Sequence, residues 1–187
     1  PSGGVVSDLA KIDLDRLIEL AGAGAAQAAE AFSQLVGETV SAGEPVLLEG
    51  HPAGGLAPSL DPSATGVFFA FEGCLEALVG ILFPGAASES LVRRVVGIET
   101  GALEDPIIES ALMEVGNILA SHVASAIADR LTSRLLPSIP SLAMADAEAE
   151  FESFVARAVG REALRIESPL VDAAGGVVGR LVMIPSD

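Results

Sequence analysis

The chain has 187 residues, 10 Lys+Arg against 26 Asp+Glu, a formal net charge of −16, and half of its residues are apolar. That length suits one domain of ordinary size with a sizeable core, and the apolar share excludes wholesale disorder. The charge balance repels nucleic acid and anionic lipid, and the single Cys74 excludes an intramolecular disulfide framework or a cysteine zinc cluster.

No uncharged apolar stretch reaches the ~18–20 residues of a membrane span, and the first residues show no basic-then-apolar leader. A reducing cytoplasm is the expected setting. Lys11 is the only lysine, the other nine cations being arginines. An acidic surface almost without lysine suits a very salty cytoplasm, where carboxylates stay hydrated and salt screens their repulsion. A GC-rich genome that favours arginine codons is the alternative.

In chain order, the first element is a long helix from about Leu14 to Val36, with Asp13 as N-cap and Gly37 as its stop. Strands follow at Val46–Leu48, Gly66–Phe71 and Ala77–Phe83, bounded by Gly or Pro, with a Pro/Gly/Ser-rich loop over His51–Thr65. A short helix is expected at about Ser88–Val96. The second long helix starts at Asp105-Pro106, a capping aspartate with proline at the first helical position, and runs to about Leu135. A strand at Ser141–Met144, a short helix at Ala147–Val159 and strands at Ala163–Val171 and Val177–Ile184 complete the chain. This order points to an α+β fold, not a βαβ parallel sheet.

The two long helices align at an offset of 95 residues, which sets Asp15 on Ser110, Glu19 on Glu114 and Pro45 on Pro140. Leu17 falls on Leu112 and Leu20 on Val115, so the apolar positions stay in phase. Gly22, however, falls on Asn117. The chain therefore reads as a single domain over 1–187 built from two copies of one unit, about 13–97 and 105–187. The expected architecture has approximate two-fold symmetry, with both long helices on one face of a shared sheet.

On a wheel of about 100° per residue, Ser110, Glu114, Asn117 and Ser121 fall within about 60° of one another. Ile108, Leu112, Val115, Leu119, Val123 and Ala126 gather on the other side. A carboxylate and an amide one turn apart on a helix are usually a solvated face. Asn is nonetheless a weak helix former, costing a few tenths of a kcal/mol among the Ala, Leu, Ile and Val that this helix prefers.

The pattern Asp/Ser-x3-Glu-x2-Asn-x22-Pro resembles the signature of the CheC/CheX/FliY phosphatases of chemotaxis, nearest to CheC. Ser110, Glu114, Asn117 and Pro140 fill every position, with 22 residues between Asn117 and Pro140, and Glu114-Val115-Gly116-Asn117-Ile118 is similar to the family's Glu-Ile-Gly-Asn-Ile run. Asp15, Glu19, Gly22 and Pro45 repeat the frame without the asparagine. The resemblance implies an enzyme that removes the phosphoryl group from the phospho-aspartate of the response regulator CheY. It implies Glu114 and Asn117 as the catalytic pair, with Ser110 and Pro140 as supporting motif positions. No cofactor of the chain's own is implied, because the regulator brings its Mg²⁺.

An amide fits such a task, since its carbonyl oxygen accepts a water proton and orientation does the rest. Gly22 has no side chain to do this, so the first site reads as empty. The resemblance also implies CheD as a possible partner, and it allows two non-catalytic readings: a CheD-binding adaptor, or a flagellar-switch component of FliM or FliY type. His51 and His122 have no second ligand at metal spacing and read as structural or surface residues, so no metal site is expected. Cys74 reads as a small apolar residue without a basic partner. The run Asp146–Glu150 reads as an acidic helix N-terminus, with docking of a basic partner a lesser possibility.

Overall fold

A computed structural model describes residues 13–49, 60–159 and 164–186. Twelve elements follow in chain order: α1 (Leu14–Val36), β1 (Val40–Ala42), β2 (Val46–Leu48), β3 (Thr65–Gly73), β4 (Ala77–Phe83) and α2 (Gly85–Val96). Then come α3 (Asp105–Leu131), β5 (Leu135–Pro137), β6 (Ser141–Ala143), α4 (Ala147–Ala158), β7 (Arg165–Asp172) and β8 (Val177–Pro185). The fold is a mixed one, four helices on an antiparallel sheet.

Local sequence explains the helix ends. The Asp13 carboxylate accepts from the Arg16 N–H at 2.8 Å, and Gly37 takes the left-handed conformation (φ 71°) that closes α1. The start of α3 lies one residue earlier than the sequence suggests: Glu104 is the N-cap, without a side-chain bond, and Asp105 is already helical. Its end comes at Leu131, not at Leu135. Thr132 turns left-handed (φ 51°) and returns its N–H to the last turn, which frees Leu135–Pro137 to pair as β5.

The sheet runs β1-β7-β8-β4-β3-β5, with β2 also on β7 and β6 also on β3. The short β1 and β5 are absent from the sequence reading. Each is three residues long, too short for an alternation signal, and each pairs with a strand distant in sequence. The short strands of each half thus edge the long hairpin of the other, and β4 meets β8 at the centre. This layout is compatible with a duplicated unit.

Alternation along β3 divides the core. Val67, Phe69 and Phe71 face α1 and α3 with Val79, Ile81, Leu181 and Met183. Phe68, Leu78 and Leu82 face α4 through Phe151 and Val155. Beside α4, β7 and β8 carry charge: Arg165 pairs with Glu152, and Arg180 reaches Glu148 at 3.0 Å and Glu167 at 3.9 Å.

Leu112, Val115 and Leu119 on α3 are fully buried, so truncating any of them to alanine would cost about 2–5 kcal/mol. By length and composition alone α3 could cross a bilayer, but here its apolar side lies against the sheet and its neighbours.

Candidate functional site

The burial of one side of α3 fixes what the other side displays. Ser110, Glu114, Asn117 and Ser121 are all exposed. Ser110, Glu114 and Asn117 line one open groove together with Pro106, Glu109, Met113 and Ile118, with a volume of ≈ 660 Å³. Among the described residues, none of Ser110, Glu114 and Asn117 has a hydrogen-bond or ion-pair partner. The carboxylate and both ends of the amide are therefore available to water or to a docked molecule.

Pro140 occupies a different place: it is buried below the stripe. The point where a Cβ would stand on Gly116 lies 3.4 Å from the Pro140 Cβ and 3.0 Å from a Val67 methyl. A side chain here would make Val67 and Pro140 give way by a few tenths of an ångström, so glycine suits this close approach of α3 to β3 and the β5–β6 loop. Gly116 sits between Glu114 and Asn117, so the proline packs against the helix at the level of the polar stripe. The sequence frame contained Gly116, but its role as the point of close approach requires knowing what lies beneath it.

The first half is arranged otherwise. Asp15 and Glu19 are exposed on α1, as Ser110 and Glu114 are on α3. Glu19, however, accepts from Arg16 at 2.7 Å and from Arg130, at the end of α3, at 3.1 Å. The Arg16 hydrogen bond, with both arginine charges close by, holds its carboxyl below the ordinary 4.5. Gly22 faces Pro45, whose ring Cγ lies 3.1 Å from the glycine's Cβ point. The first half therefore lacks the amide, has its carboxylate clasped, and has a proline where a side chain would begin.

The remaining candidates separate cleanly. His122 is exposed on α3, and Cys74 is buried at the turn between β3 and β4. His51 lies outside the described residues. In the acidic run, Glu148 and Glu150 fall in the first turn of α4. Glu148 also accepts from the Leu60 N–H and from Arg180. Among the described residues no three His, Cys, Asp or Glu side chains converge as metal ligands. A second hollow lies next to the groove between α2 and α3, lined by Thr65, Ser88, Arg93, Ile108 and Met144, and it shares Glu109 with the groove.

Comparison with known proteins converges on this helix. A family model described as CheC-like family matches residues 107–142, a span that runs from just before Ser110 to just past Pro140. The chain is 28% identical over 137 residues to the CheY-P phosphatase CheC of Bacillus subtilis, covering 70% of this chain and 66% of that protein, just under two thirds of its length.

Among solved structures, it is similar to FliY of Thermotoga maritima, with TM-score 0.65, 16% identity, and coverage of 92% of this chain and 88% of that one. It is also similar to a chain of the CheX-CheY-BeF3-Mg+2 complex of Borrelia burgdorferi, with TM-score 0.63, 14% identity, and coverage of 90% and 99%. At these identities the two structures share the fold with this chain.

Proposed function

We propose that the chain, whose residues 107–142 match the CheC-like family model, is a member of that family and hydrolyses the aspartyl phosphate of a CheY-type response regulator at one site, on α3. The observation that carries this reading is the pair Glu114 and Asn117, without partners among the described residues and displayed on one face of a helix whose other side packs into the core.

Rigidity matters for the chemistry. Hydrolysis of an acyl phosphate needs a water in line with the scissile bond. As that water's oxygen bonds to phosphorus, the bond from phosphorus to the aspartate oxygen breaks. The aspartate leaves as a carboxylate with the electron pair, and the water's proton passes to phosphate or solvent. The regulator's own Mg²⁺ and cationic groups hold the phosphoryl charge.

Asn117 accepts one hydrogen of the attacking water through its side-chain carbonyl and so fixes the water's direction. Because α3 is seated on β3 through Gly116, with Pro140 against it, the amide arrives already oriented and little conformational freedom is lost on docking. Glu114, one turn earlier, offers a carboxylate to the regulator's active-site lysine and sets the register of the complex. Ser110 lines the same groove and Pro140 supports it.

The test is the decay of ³²P-labelled CheY-phosphate with and without the protein. Accelerated decay supports the reading. Unchanged decay together with retained binding would replace it with that of an adaptor, of the CheD-binding or flagellar-switch kind.

A further inference from the structure

Asn117 is the only asparagine of the chain, and it is exposed. An exposed side chain exchanges rotamers freely unless a neighbour restricts it. The close seat of α3 on β3 at Gly116 fixes the backbone of this turn and leaves the amide's own torsions open. Helical side chains lean toward the N-terminus, so Asn117 extends over the residues three and four places before it. Those are Glu114 and Met113, and both line the groove with it. At about 100° per residue they flank the asparagine, Met113 about 40° to one side and Glu114 about 60° to the other.

Met113 is the odd member of the three. It is half-buried, yet among the described residues it belongs to none of the apolar clusters, whereas Ile108 and Ile118 of the same helix pack against them. In the first half the corresponding residue, Ile18, packs against the α1/α3 core, one turn before a glycine. Side chains four apart on a helix have Cβ atoms about 5–6 Å apart, a distance that a long flexible thioether spans. A thioether has no donor and is only a weak acceptor, so it restricts an amide without occupying either polar end.

We propose that Met113 is a positioning residue for Asn117: it packs along one side of the amide, Glu114 bounds the other, and both polar ends stay free. The inference rests on the phosphatase reading for the reaction that the amide serves. A glutamine at the same place would do the reverse. At this spacing it hydrogen-bonds the asparagine and competes with the attacking water for its carbonyl.

The experiment compares wild type, Met113→Leu and Met113→Gln by solution NMR and by hydrolysis of CheY-phosphate. The wild-type side-chain amides are those of Asn117, Gln27 and Gln34, so the spectrum is readily assigned against Asn117→Ala. A nuclear Overhauser contact should join the Met113 methyl to the Asn117 amide protons. Met113→Gln should shift those amide signals and lower the saturated rate roughly three- to tenfold at unchanged half-saturating regulator. Met113→Leu should keep the rate within about twofold of wild type. A missing contact or unmoved amide signals in Met113→Gln would overturn the proposal. So would equal losses in both variants, or an effect confined to the half-saturating concentration, which marks a docking contact. If wild type does not hydrolyse, the phosphatase reading fails by itself, and the amide spectra still decide whether Met113 sets the asparagine.

Discussion

Pro45 lies against Gly22, its ring Cγ 3.1 Å from the point where a Cβ would stand. The corresponding position in the second half, Asn117, is exposed and unobstructed. Substituting Gly22→Asn should therefore not create a second site. The new side chain needs the Pro45 ring to give way by a few tenths of an ångström, and Glu19 remains engaged by Arg16 and Arg130. Hydrolysis should stay at the wild-type level. An increase equal to a second full site, read in the same phosphate-decay assay, would show that the amide alone was missing.

Glu114 should act on association more than on the chemical step. It is exposed and has no partner among the described residues, so Glu114→Ala should change folding stability by less than about 0.5 kcal/mol. A lost charge-assisted hydrogen bond is worth about 1.5–3 kcal/mol, which predicts a roughly ten- to hundredfold rise in half-saturating regulator. Steady-state titration of the variant measures it, and the effect should shrink as salt is added.

The charged corner of β7 and β8 gives a pH dependence of defined sign. Burial pushes the Glu167 carboxyl above its ordinary 4.5, against the lowering pull of Arg180 and Arg165, while Glu148 and Glu152 raise it further. A folded value above the unfolded one means that the folded state binds the proton more tightly, so ionising Glu167 weakens the fold as pH rises through that interval. Glu167→Gln should raise the melting temperature near pH 7, and the gain should vanish toward pH 4. Glu19 has the opposite sign: its lowered value gives stability above the ordinary 4.5 that is lost as pH falls through the folded value. Thermal melts of wild type, Glu167→Gln and Glu19→Ala across this range separate the two.

Salt should matter to the whole molecule. A net charge of −16 with a single lysine implies self-repulsion that screening relieves. The melting temperature is expected to climb steeply from millimolar to molar KCl. A melting temperature indifferent to salt would remove the expectation of a salty cytoplasm and leave the phosphatase reading untouched.

The long helices were legible because their signals are local. Asp13, Gly37 and the phase of Leu112, Val115 and Leu119 can be read without knowing any neighbour, and the α1 boundaries match the sequence reading. The end of α3 was not legible, since Thr132 stops it by adopting a conformation that its residue type does not announce. Nor were β1 and β5, whose partners lie far along the chain.

The same division holds at the site. The spacing of Ser110, Glu114 and Asn117 placed them on one exposed stripe. It could not reveal that Pro140 packs against Gly116, or that Arg16 and Arg130 clasp Glu19. Those are relations across elements, and a repeat frame records positions without contacts.

The central claim is that the Asn117 amide orients the attacking water. Its most direct test is the decay of labelled CheY-phosphate with wild type, Asn117→Ala and Glu19→Ala, each first shown by circular dichroism to melt as a folded protein. Losing a positioning group of this kind costs on the order of 10²-fold. The account predicts that loss for Asn117→Ala and near wild-type decay for Glu19→Ala. Full acceleration by Asn117→Ala, or equal losses in both variants, would contradict it.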